Sequence, residues 1–323
     1  MGETNVRCSV VIRAYNEEKH IGRLLAGLLE QTVKEVEIIL VDSGSTDATV
    51  AIASRYPVRI LSIDSHEFTF GKSLNLGVAQ AIGDYIVVSS AHVYPVYADW
   101  IERILAPFAE DEIALVYGKQ RGDQATRFSE HQIFASWFPE DSVSRQEHPF
   151  CNNANAAIRR SLWKQHPYDE MLPALEDLEW ATWAMKEGYF IAYSADAEVV
   201  HVHEESGAMI YNRYRREAMA LKRIRPQEQF HLWDFMRFYL SNVFHDRSQA
   251  AKGKIVLREI WGILWFRFFQ LWGTYRGFLL SGALTSELKS NFYYPRANGS
   301  EKIKKRSIAP IDYGSSTMKN EDG

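Results

Sequence analysis

The chain has 323 residues, of which 46% are hydrophobic and 24% are charged, and its net charge is −4. This composition excludes a disordered chain, and the charge balance excludes nucleic-acid binding through a globally basic surface. The two cysteines, Cys8 and Cys151, have no CxxC neighbours, which excludes a disulfide framework and the common zinc spacings.

The sequence also lacks the usual signals for crossing or leaving the membrane. No apolar run reaches the ~18–20 residues needed to span a bilayer. Residues 1–6 are polar and contain no secretory apolar segment. Together with the few cysteines, these features predict a cytoplasmic protein.

The chain begins with a predicted strand, Cys8–Ile12, followed by a polar segment. Asn16 is predicted to cap the next helix, with Glu17 and Glu18 in its first turn, where negative charge complements the helix dipole. Apolar residues then recur with the spacing of a helix that lies on a sheet: Ile21, Leu24, Leu25 and Leu28.

Further strand and helix patterns alternate along the first half. The predicted strands are Val36–Val41, Val58–Ile63, Tyr85–Val88 and Ala114–Gly118. Repeated βα units with short links predict a mostly parallel α/β sheet flanked by helices. Asp42 ends the second strand, where a carboxylate can accept from a nucleobase or ribose; a plain Asx turn is the alternative.

The segment Gly83–Pro95 follows the same logic. Its buried strand leads into the small polar residues Ser90–His92. Ligands of such sheets bind beyond the carboxyl ends of the strands, so we expect these residues to line a pocket. An ordinary exit from strand to loop is the alternative. Residues 119–150 are polar and irregular, and we expect a long connection of the kind that tends to be a functional lid or a binding loop.

The second half contains an acidic segment and two histidines. Glu176–Glu179 opens a predicted helix that ends at Gly188, and a carboxylate at the mouth of a helix can act as a general base. The alternative is that Asp177 only caps this helix. His201 and His203 follow two predicted strands, Tyr189–Tyr193 and Ala197–Val200. Because alternate residues of an extended chain share a face, both can point toward His92.

The C-terminal part changes character. Arginines and lysines crowd the stretch from Arg213 to Arg225, and aromatic, basic segments follow at Phe230–Phe244 and Ile255–Leu280. The basic stretch could neutralise a donor phosphate, the pyrophosphate of a lipid-linked acceptor or an anionic membrane surface. The aromatic helices fit a membrane interface or a homodimer face, or they pack on the rest of the chain or on a partner chain. The polar residues 297–323 are predicted to be a flexible tail.

Six segments resemble family 2 glycosyltransferases in their order along the chain: Val10–Glu17, Val41–Thr49, Lys72–Gly77, Gly83–Pro95, Asn152–Arg160 and Leu175–Trp180. The resemblance covers about residues 6–205. It implies a GT-A fold, which is a Rossmann-like mixed sheet, and an inverting transfer from a nucleotide-sugar donor. It also implies a setting in bacterial polysaccharide or O-antigen biosynthesis at the inner face of the plasma membrane. The acceptor would be a glycan or a lipid-linked saccharide, and the donor a hexosyl or rhamnosyl nucleotide.

The resemblance also implies a role for each matching residue. Asp177 would be the base, and Glu176 would hold the acceptor or the loop. The residues on the donor side would be Tyr15, Glu17, Asp42, Asp47, Lys72, Asn75, Ser90, Ala91 and His92. The corresponding division of the chain is a catalytic domain at 1–208, with a nucleotide-sugar half at 6–118 and an acceptor half at 119–208, then a helical region at 209–296 and the tail.

One departure from the family affects the metal. Ser90-Ala91-His92 stands where the family usually has Asp-x-Asp, and hard divalent cations prefer carboxylate oxygen. A weak Mn²⁺ or Mg²⁺ site built from His92 with His201 and His203 is one interpretation. Two alternatives remain open: phosphate neutralisation by arginine and lysine without metal, or a CMP-sugar donor. A catalytically silent nucleotide-sugar-binding subunit is a further alternative.

Overall fold

The computed structural model describes residues 8–64, 67–279 and 308–313. In these residues nine strands form one sheet. The strands are β1 Cys8–Ala14, β2 Val36–Asp42, β3 Arg59–Ser62, β4 Tyr85–Ser90, β5 Val93–Pro95, β6 Ile113–Arg121, β7 Val143–Gln146, β8 Asn155–Arg159 and β9 Phe190–His201. The helices are α1 Ile21–Leu29, α2 Thr49–Ala53, α3 Phe70–Gln80, α4 Trp100–Leu105, α5 Phe128–Trp137, α6 Arg160–Trp163, α7 Glu176–Lys186, α8 Gly207–Ile224, α9 Leu232–Lys252 and α10 Val256–Phe278.

The strand order is β3-β2-β1-β4-β8-β6-β9-β5, and β7 pairs with β9. The strands β3, β2, β1 and β4 are parallel, as predicted. Strand β8 runs antiparallel to both of its neighbours, β4 and β6, which makes the sheet mixed. The carboxyl ends of β1, β2 and β4 therefore meet at one edge, where ligands of such sheets bind.

Two buried layers cover the sheet, and successive residues of β1 enter them alternately. Val10 and Ile12 belong to the cluster that includes the predicted apolar stripe of α1. Val11 belongs to the opposite cluster, with Leu74 of α3 and Trp180 of α7. Because neighbouring residues of a strand point to opposite faces, a continuous apolar run is what a strand covered on both sides requires.

The predicted helix cap at Asn16 is wrong. Helix α1 begins at Ile21, after a turn in which the Glu17 carbonyl accepts from the N–H groups of His20 and Ile21. Asn16 itself has φ 54°, and its Oδ1 accepts from the backbone N–H of Thr46 at 2.8 Å. Asparagine tolerates the left-handed conformation better than most residues. Asn16 therefore joins the loop after β1 to the loop after β2 instead of capping a helix.

The predicted long loop at 119–150 is also wrong. It contains the end of β6, the whole of α5 and strand β7. The sequence of α5 lacks the apolar periodicity of an amphipathic helix because its buried side includes Ser129 and Glu130. Glu130 is buried as an ion pair with Arg213. The predicted strand pair at 189–200 is one continuous strand, β9, whose pairing with β6 shifts register between Gly118 and Gln120.

Helices α8, α9 and α10 form the C-terminal helical part. Gly277 of α10 lies so close to α8 that an added Cβ would be 2.5 Å from the Arg215 carbonyl oxygen. A fully buried ion pair, Arg267 with Asp246, joins α10 to α9. Among the residues that the structure describes, no helix combines the length and apolarity needed to span a membrane.

Part of the predicted flexible tail is ordered. The Ile311 N–H donates to the Val96 carbonyl at 2.9 Å, and the Tyr313 hydroxyl donates to the Pro95 carbonyl at 2.6 Å. Residues 308–313 therefore lie along the chain that follows β5. The rest of the predicted tail, 297–307 and 314–323, lies outside the described residues.

Candidate active site

A cavity of about 680 Å³ opens at the carboxyl ends of β1 and β4. Tyr15 follows β1, Ser90 ends β4 and His92 comes two residues later, so the parallel strands deliver these side chains to one place. The cavity brings together most of the predicted site residues: Tyr15, Glu17, Asp47, Ser90, His92, Glu176, Asp177, His201 and His203.

The loops after β1 and β2 are bonded to each other along one wall of this cavity. The Glu18 N–H donates to Asp47 Oδ2 at 3.1 Å, and the Glu18 carboxylate accepts from the Ala48 N–H at 2.9 Å. The Glu17 N–H donates to Thr49 Oγ1 at 2.6 Å. These bonds fix the loops relative to each other, so Asp47 has a positioning role beyond its place in the cavity wall.

Four predicted donor residues are not among the described residues that line the cavity: Asp42, Lys72, Asn75 and Ala91. Asp42 ends β2, and its Oδ2 accepts from the N–H groups of Gly44 and Ser45 at 3.1 Å each. Its Oδ1 is buried and has no hydrogen-bond partner in the described part of the chain. Ala91 is buried: its side chain belongs to a core cluster, and its N–H donates to the Arg13 carbonyl at 3.2 Å.

Lys72 and Asn75 point elsewhere, contrary to the prediction. Lys72 pairs with Glu67 at 2.9 Å. Asn75 accepts from Trp163 Nε1 at 2.9 Å and donates to the Tyr168 carbonyl at 2.9 Å. Since the side chain of Asn75 is already bonded to the segment after α6, it holds α3 in place. A sequence pattern cannot separate this role from ligand binding.

The two acids of α7 face the cavity from the first turn of the helix. The cap residue is Leu175, in the left-handed conformation at φ 58°, so the interpretation of Asp177 as the cap is wrong. Asp177 Oδ2 accepts from the Asn153 N–H at 3.0 Å, and Asp177 Oδ1 accepts from the Leu178 N–H at 2.8 Å. Glu176 Oε1 accepts from the Asn153 side chain at 3.3 Å and lies 3.5 Å from Arg13.

The environment of Asp177 changes its acidity. Burial and the neighbouring Glu176 carboxylate raise the pKa of Asp177 to about 7, although the two backbone N–H groups and Arg13 act in the opposite direction. A carboxylate is a better proton acceptor at neutral pH when its pKa lies near that pH. The pair therefore provides one buried acid–base group at the cavity wall.

The three predicted histidines converge on one point. The ring centroids of His201 and His203 are 4.1 Å apart, and those of His92 and His201 are 5.0 Å apart. One possible ligand atom from each of the three lies within 4.8 Å of the others.

Each histidine is held through its Nδ1. The partners are Glu17 Oε1 at 2.6 Å for His92, Gln120 Oε1 at 2.7 Å for His201 and Glu130 Oε1 at 2.7 Å for His203. With Nδ1 bonded to an oxygen acceptor, Nε2 is left as the free nitrogen. His201 Nε2 is buried and has no partner among the described residues.

Burial and the neighbouring charged groups set the protonation of the histidine cluster. Burial, followed by the neighbouring His203 and His92, lowers the pKa of His201 well below its usual value, so this ring is neutral at pH 7. Burial alone would raise the pKa of Glu130, but His203 and Arg213 lower it to about 2. Glu205 is a second acid near His203, and Arg213 pairs with it as well as with Glu130.

Two arginines stand in the cavity wall: Arg13 was not predicted, whereas Arg216 belongs to the basic stretch from Arg213 to Arg225. Arg13 and Arg216 lie over Phe70, with their guanidinium carbons 4.6 and 5.0 Å from the ring centroid. The Nε atom of each is buried without a partner in the part of the chain that the structure describes. The position of Arg13, next to the end of β1, is a signal that could have identified it.

The family model for glycosyl transferase family 2 matches residues 9–166, which include the sheet edge with Tyr15 and His92. Residues 9–166 therefore carry a domain of this family. The match ends before Glu176, so the acid pair and the last two histidines of the glycosyltransferase lie beyond it.

Two curated relatives are O-antigen chain rhamnosyltransferases. The glycosyltransferase is 28% identical to RfbN of Salmonella typhimurium over 221 residues, which are 65% of this chain and 70% of that protein. It is 29% identical to WbaN of Salmonella anatum over 196 residues, which are 57% of this chain and 62% of that protein.

Solved structures confirm the predicted GT-A fold. The mannosyltransferase PcManGT of Pyrobaculum calidifontis, in complex with GDP-Man and Mn²⁺, aligns with TM-score 0.56 and 18% identity over 89% of this chain and 87% of that one. TarS 1-349 of S. aureus, in complex with UDP, aligns with TM-score 0.51 and 17% identity over 84% and 91%. At these identities the likeness concerns the fold.

Proposed function

We propose that this glycosyltransferase moves a sugar from a nucleotide-sugar donor to an acceptor hydroxyl with inversion. The observation that carries the proposal is Asp177, a carboxylate with a raised pKa that faces the same cavity as the nucleotide-side loops. Asp177 accepts the proton of the acceptor hydroxyl as its oxygen bonds to the anomeric carbon. The bond from that carbon to the nucleoside phosphate breaks on the opposite side, and the phosphate leaves with the bonding electrons.

The donor fits the wall formed by the first two βα units. Tyr15 is 55% exposed there and offers a face for a nucleobase. Asp42 Oδ1, which has no partner among the described residues, is the proposed acceptor for a base or ribose. Arg13 and Arg216 can neutralise the leaving phosphate, since each has an unpartnered guanidinium N–H and arginine is suited to phosphate.

The names of the relatives suggest a setting. Because RfbN and WbaN are O-antigen chain rhamnosyltransferases, we propose bacterial polysaccharide or O-antigen biosynthesis, a hexosyl or rhamnosyl donor, and a glycan or lipid-linked acceptor. The enzyme would work at the inner face of the plasma membrane. Residues 1–208 would be the catalytic domain, with the donor at 6–118, and 209–296 an attached helical region.

We also propose a divalent metal ion held by His92, His201 and His203. The unpartnered, buried Nε2 of His201 and the three Nδ1 hydrogen bonds fit a metal site with ordered outer partners. Three imidazoles suit Mn²⁺, Co²⁺ or Zn²⁺ better than Mg²⁺, which prefers oxygen. A bound ion would supply positive charge for the donor phosphate. Mn²⁺ accompanies GDP-Man in PcManGT, which supports a metal in this fold.

The metal proposal predicts an effect of Gln120, which holds His201 but is not among the described residues that line the cavity. Gln120→Leu should weaken Co²⁺ binding about 10–100-fold, because the ring of His201 loses its orientation. The measurement is a Co²⁺ titration followed by its visible absorption and by calorimetry. His131→Asn on α5 is the control, and Mg²⁺ should compete poorly. Equal affinity in both variants would contradict the site.

Nucleotide binding tests the function itself. Calorimetry with UDP, dTDP, GDP and CMP, with and without Mn²⁺, should show binding of a nucleoside diphosphate that Mn²⁺ strengthens. The matching nucleotide sugar should then be consumed when a saccharide acceptor is added. A preference for CMP regardless of metal would favour the metal-independent transferase. Nucleotide binding with neither transfer nor donor hydrolysis would favour a silent subunit.

A further inference from the structure

Helix α9 has an unusually apolar outer side. Trp233, Met236, Leu240 and Phe244 follow one another at spacings of three and four residues, which places them on one face of the helix. Trp233 is 76% exposed and Phe244 is 69% exposed. In the described part of the chain, nine of the fifteen exposed large hydrophobic residues lie between Leu232 and Leu279. Scattered single residues are ordinary on a surface, but a concentration of this kind marks a contact site.

The charges on this side are mostly positive. At about 100° per residue, Arg237 and Arg247 fall within about 40° of Trp233 around the helix axis. Of the two acids of α9, Asp246 is fully buried, and Asp234 is half-buried and lies 3.9 Å from Arg237, so Arg247 is the cation of this face without an acidic partner on α9. The outer face of α9 is therefore apolar and basic.

The same character continues where α9 turns into α10. Lys252 and Lys254 are exposed at this corner. Leu257 is 94% exposed and Trp261 is 78% exposed on the first turns of α10. Arg258 is exposed beside them and pairs with Glu259 at 2.6 Å. The α9 face and this corner, defined here together as the basic–apolar surface, place two tryptophans among arginines and lysines.

We propose that the basic–apolar surface lies on an anionic lipid bilayer. Tryptophan and leucine enter the interfacial layer while arginine and lysine meet anionic headgroups, as in helices that lie in the plane of a membrane. A second copy of the chain is a poorer partner, because a two-fold contact would bring the same cations against each other.

The proposal goes beyond sugar transfer and also orients the enzyme. Helix α10 packs closely on α8 at Gly277, and α8 carries Arg213 and Arg216 into the cavity wall. The surface and the cavity therefore belong to one packed unit. An enzyme bound to a bilayer through this unit would suit an acceptor anchored in lipid.

The test is vesicle co-sedimentation of the full chain, with Trp233→Ser/Phe244→Ser and Arg247→Gln/Lys254→Gln as variants. Wild type should bind phosphatidylcholine vesicles that contain phosphatidylglycerol, and added salt should weaken binding. In the double charge variant, the affinity for anionic vesicles should fall about fivefold for each cation removed. Ile82→Ser/Met171→Ser, which removes two exposed apolar residues elsewhere, should bind like wild type. Nucleotide binding should be unchanged in every variant, which reports intact folding.

Two results would overturn the proposal. One is equal sedimentation with neutral and anionic vesicles, or none with either. The other is a dimeric mass by light scattering without lipid that Trp233→Ser/Phe244→Ser converts to a monomer, since a second copy would then cover this surface.

Discussion

Replacing Asp177 with asparagine is expected to lower kcat for sugar transfer by about 10²–10⁴-fold, the range that general-base catalysis contributes. The amide has the size of the carboxylate but cannot take the proton of the acceptor hydroxyl. Its oxygen can still accept from the Asn153 N–H, so the turn at the start of α7 should persist. The measurement is single-turnover transfer with saturating donor, together with calorimetry to show that nucleotide affinity is retained.

The matched control is Glu179→Gln on the same turn of α7. Glu179 pairs with His166 at 3.1 Å and is not among the described residues of the cavity wall. We expect transfer close to the wild-type rate. Equal losses in both variants would indicate damage to the helix, and full activity of Asp177→Asn would assign the proton transfer to another group.

The pH dependence follows from the same carboxylate. Burial and Glu176 raise the pKa of Asp177 to about 7, so at lower pH the group is protonated and cannot accept a proton. The rate should therefore fall as pH decreases through about 7. Arg13 lowers this pKa, and Arg13→Gln should move the midpoint of the profile to higher pH. An unchanged midpoint would show that the profile reports another group.

The sequence predicts the sheet edge well because its signals are local. The apolar run of β1 and the stripe of α1 reflect burial directly, and β4 carries His92 to the carboxyl edge. The spacing of His201 and His203 predicts that they share a face, since alternate residues of a strand do so, and the family resemblance adds that this face is turned toward His92.

The remaining features depend on contacts between distant residues. Glu130 is buried in α5 because His203 and Arg213 pair with it, and neither is near it in sequence. Asn75 matches the family pattern, yet its bonds to Trp163 and the Tyr168 backbone decide its role. Periodicity reports which side of a helix is buried, whereas the partner of a buried polar group is set by the tertiary fold.

Removing one partner of the buried ion pair in the C-terminal helices should destabilise them strongly. Arg267 donates to both carboxylate oxygens of Asp246, at 2.7 and 2.9 Å, and both side chains are fully buried. Arg267 also donates to Gln270 at 2.8 Å and to the Ser129 carbonyl of α5 at 3.3 Å. Asp246→Ala leaves the guanidinium buried without its counter-ion. We expect the free energy of unfolding to fall by about 3–5 kcal/mol, measured by urea denaturation.

Two further variants separate the charge from the packing. Asp246→Leu/Arg267→Met removes both charges and keeps much of the volume, so its stability should return close to wild type, because the pair's attraction does little more than offset its desolvation. Arg258→Met breaks an exposed pair and should cost at most about 1 kcal/mol. If Asp246→Ala lowers the free energy of unfolding no more than Arg258→Met does, the buried pair does not anchor α10. If the double variant is as unstable as Asp246→Ala, its hydrogen bonds to α5 and Gln270 matter more than the charge balance.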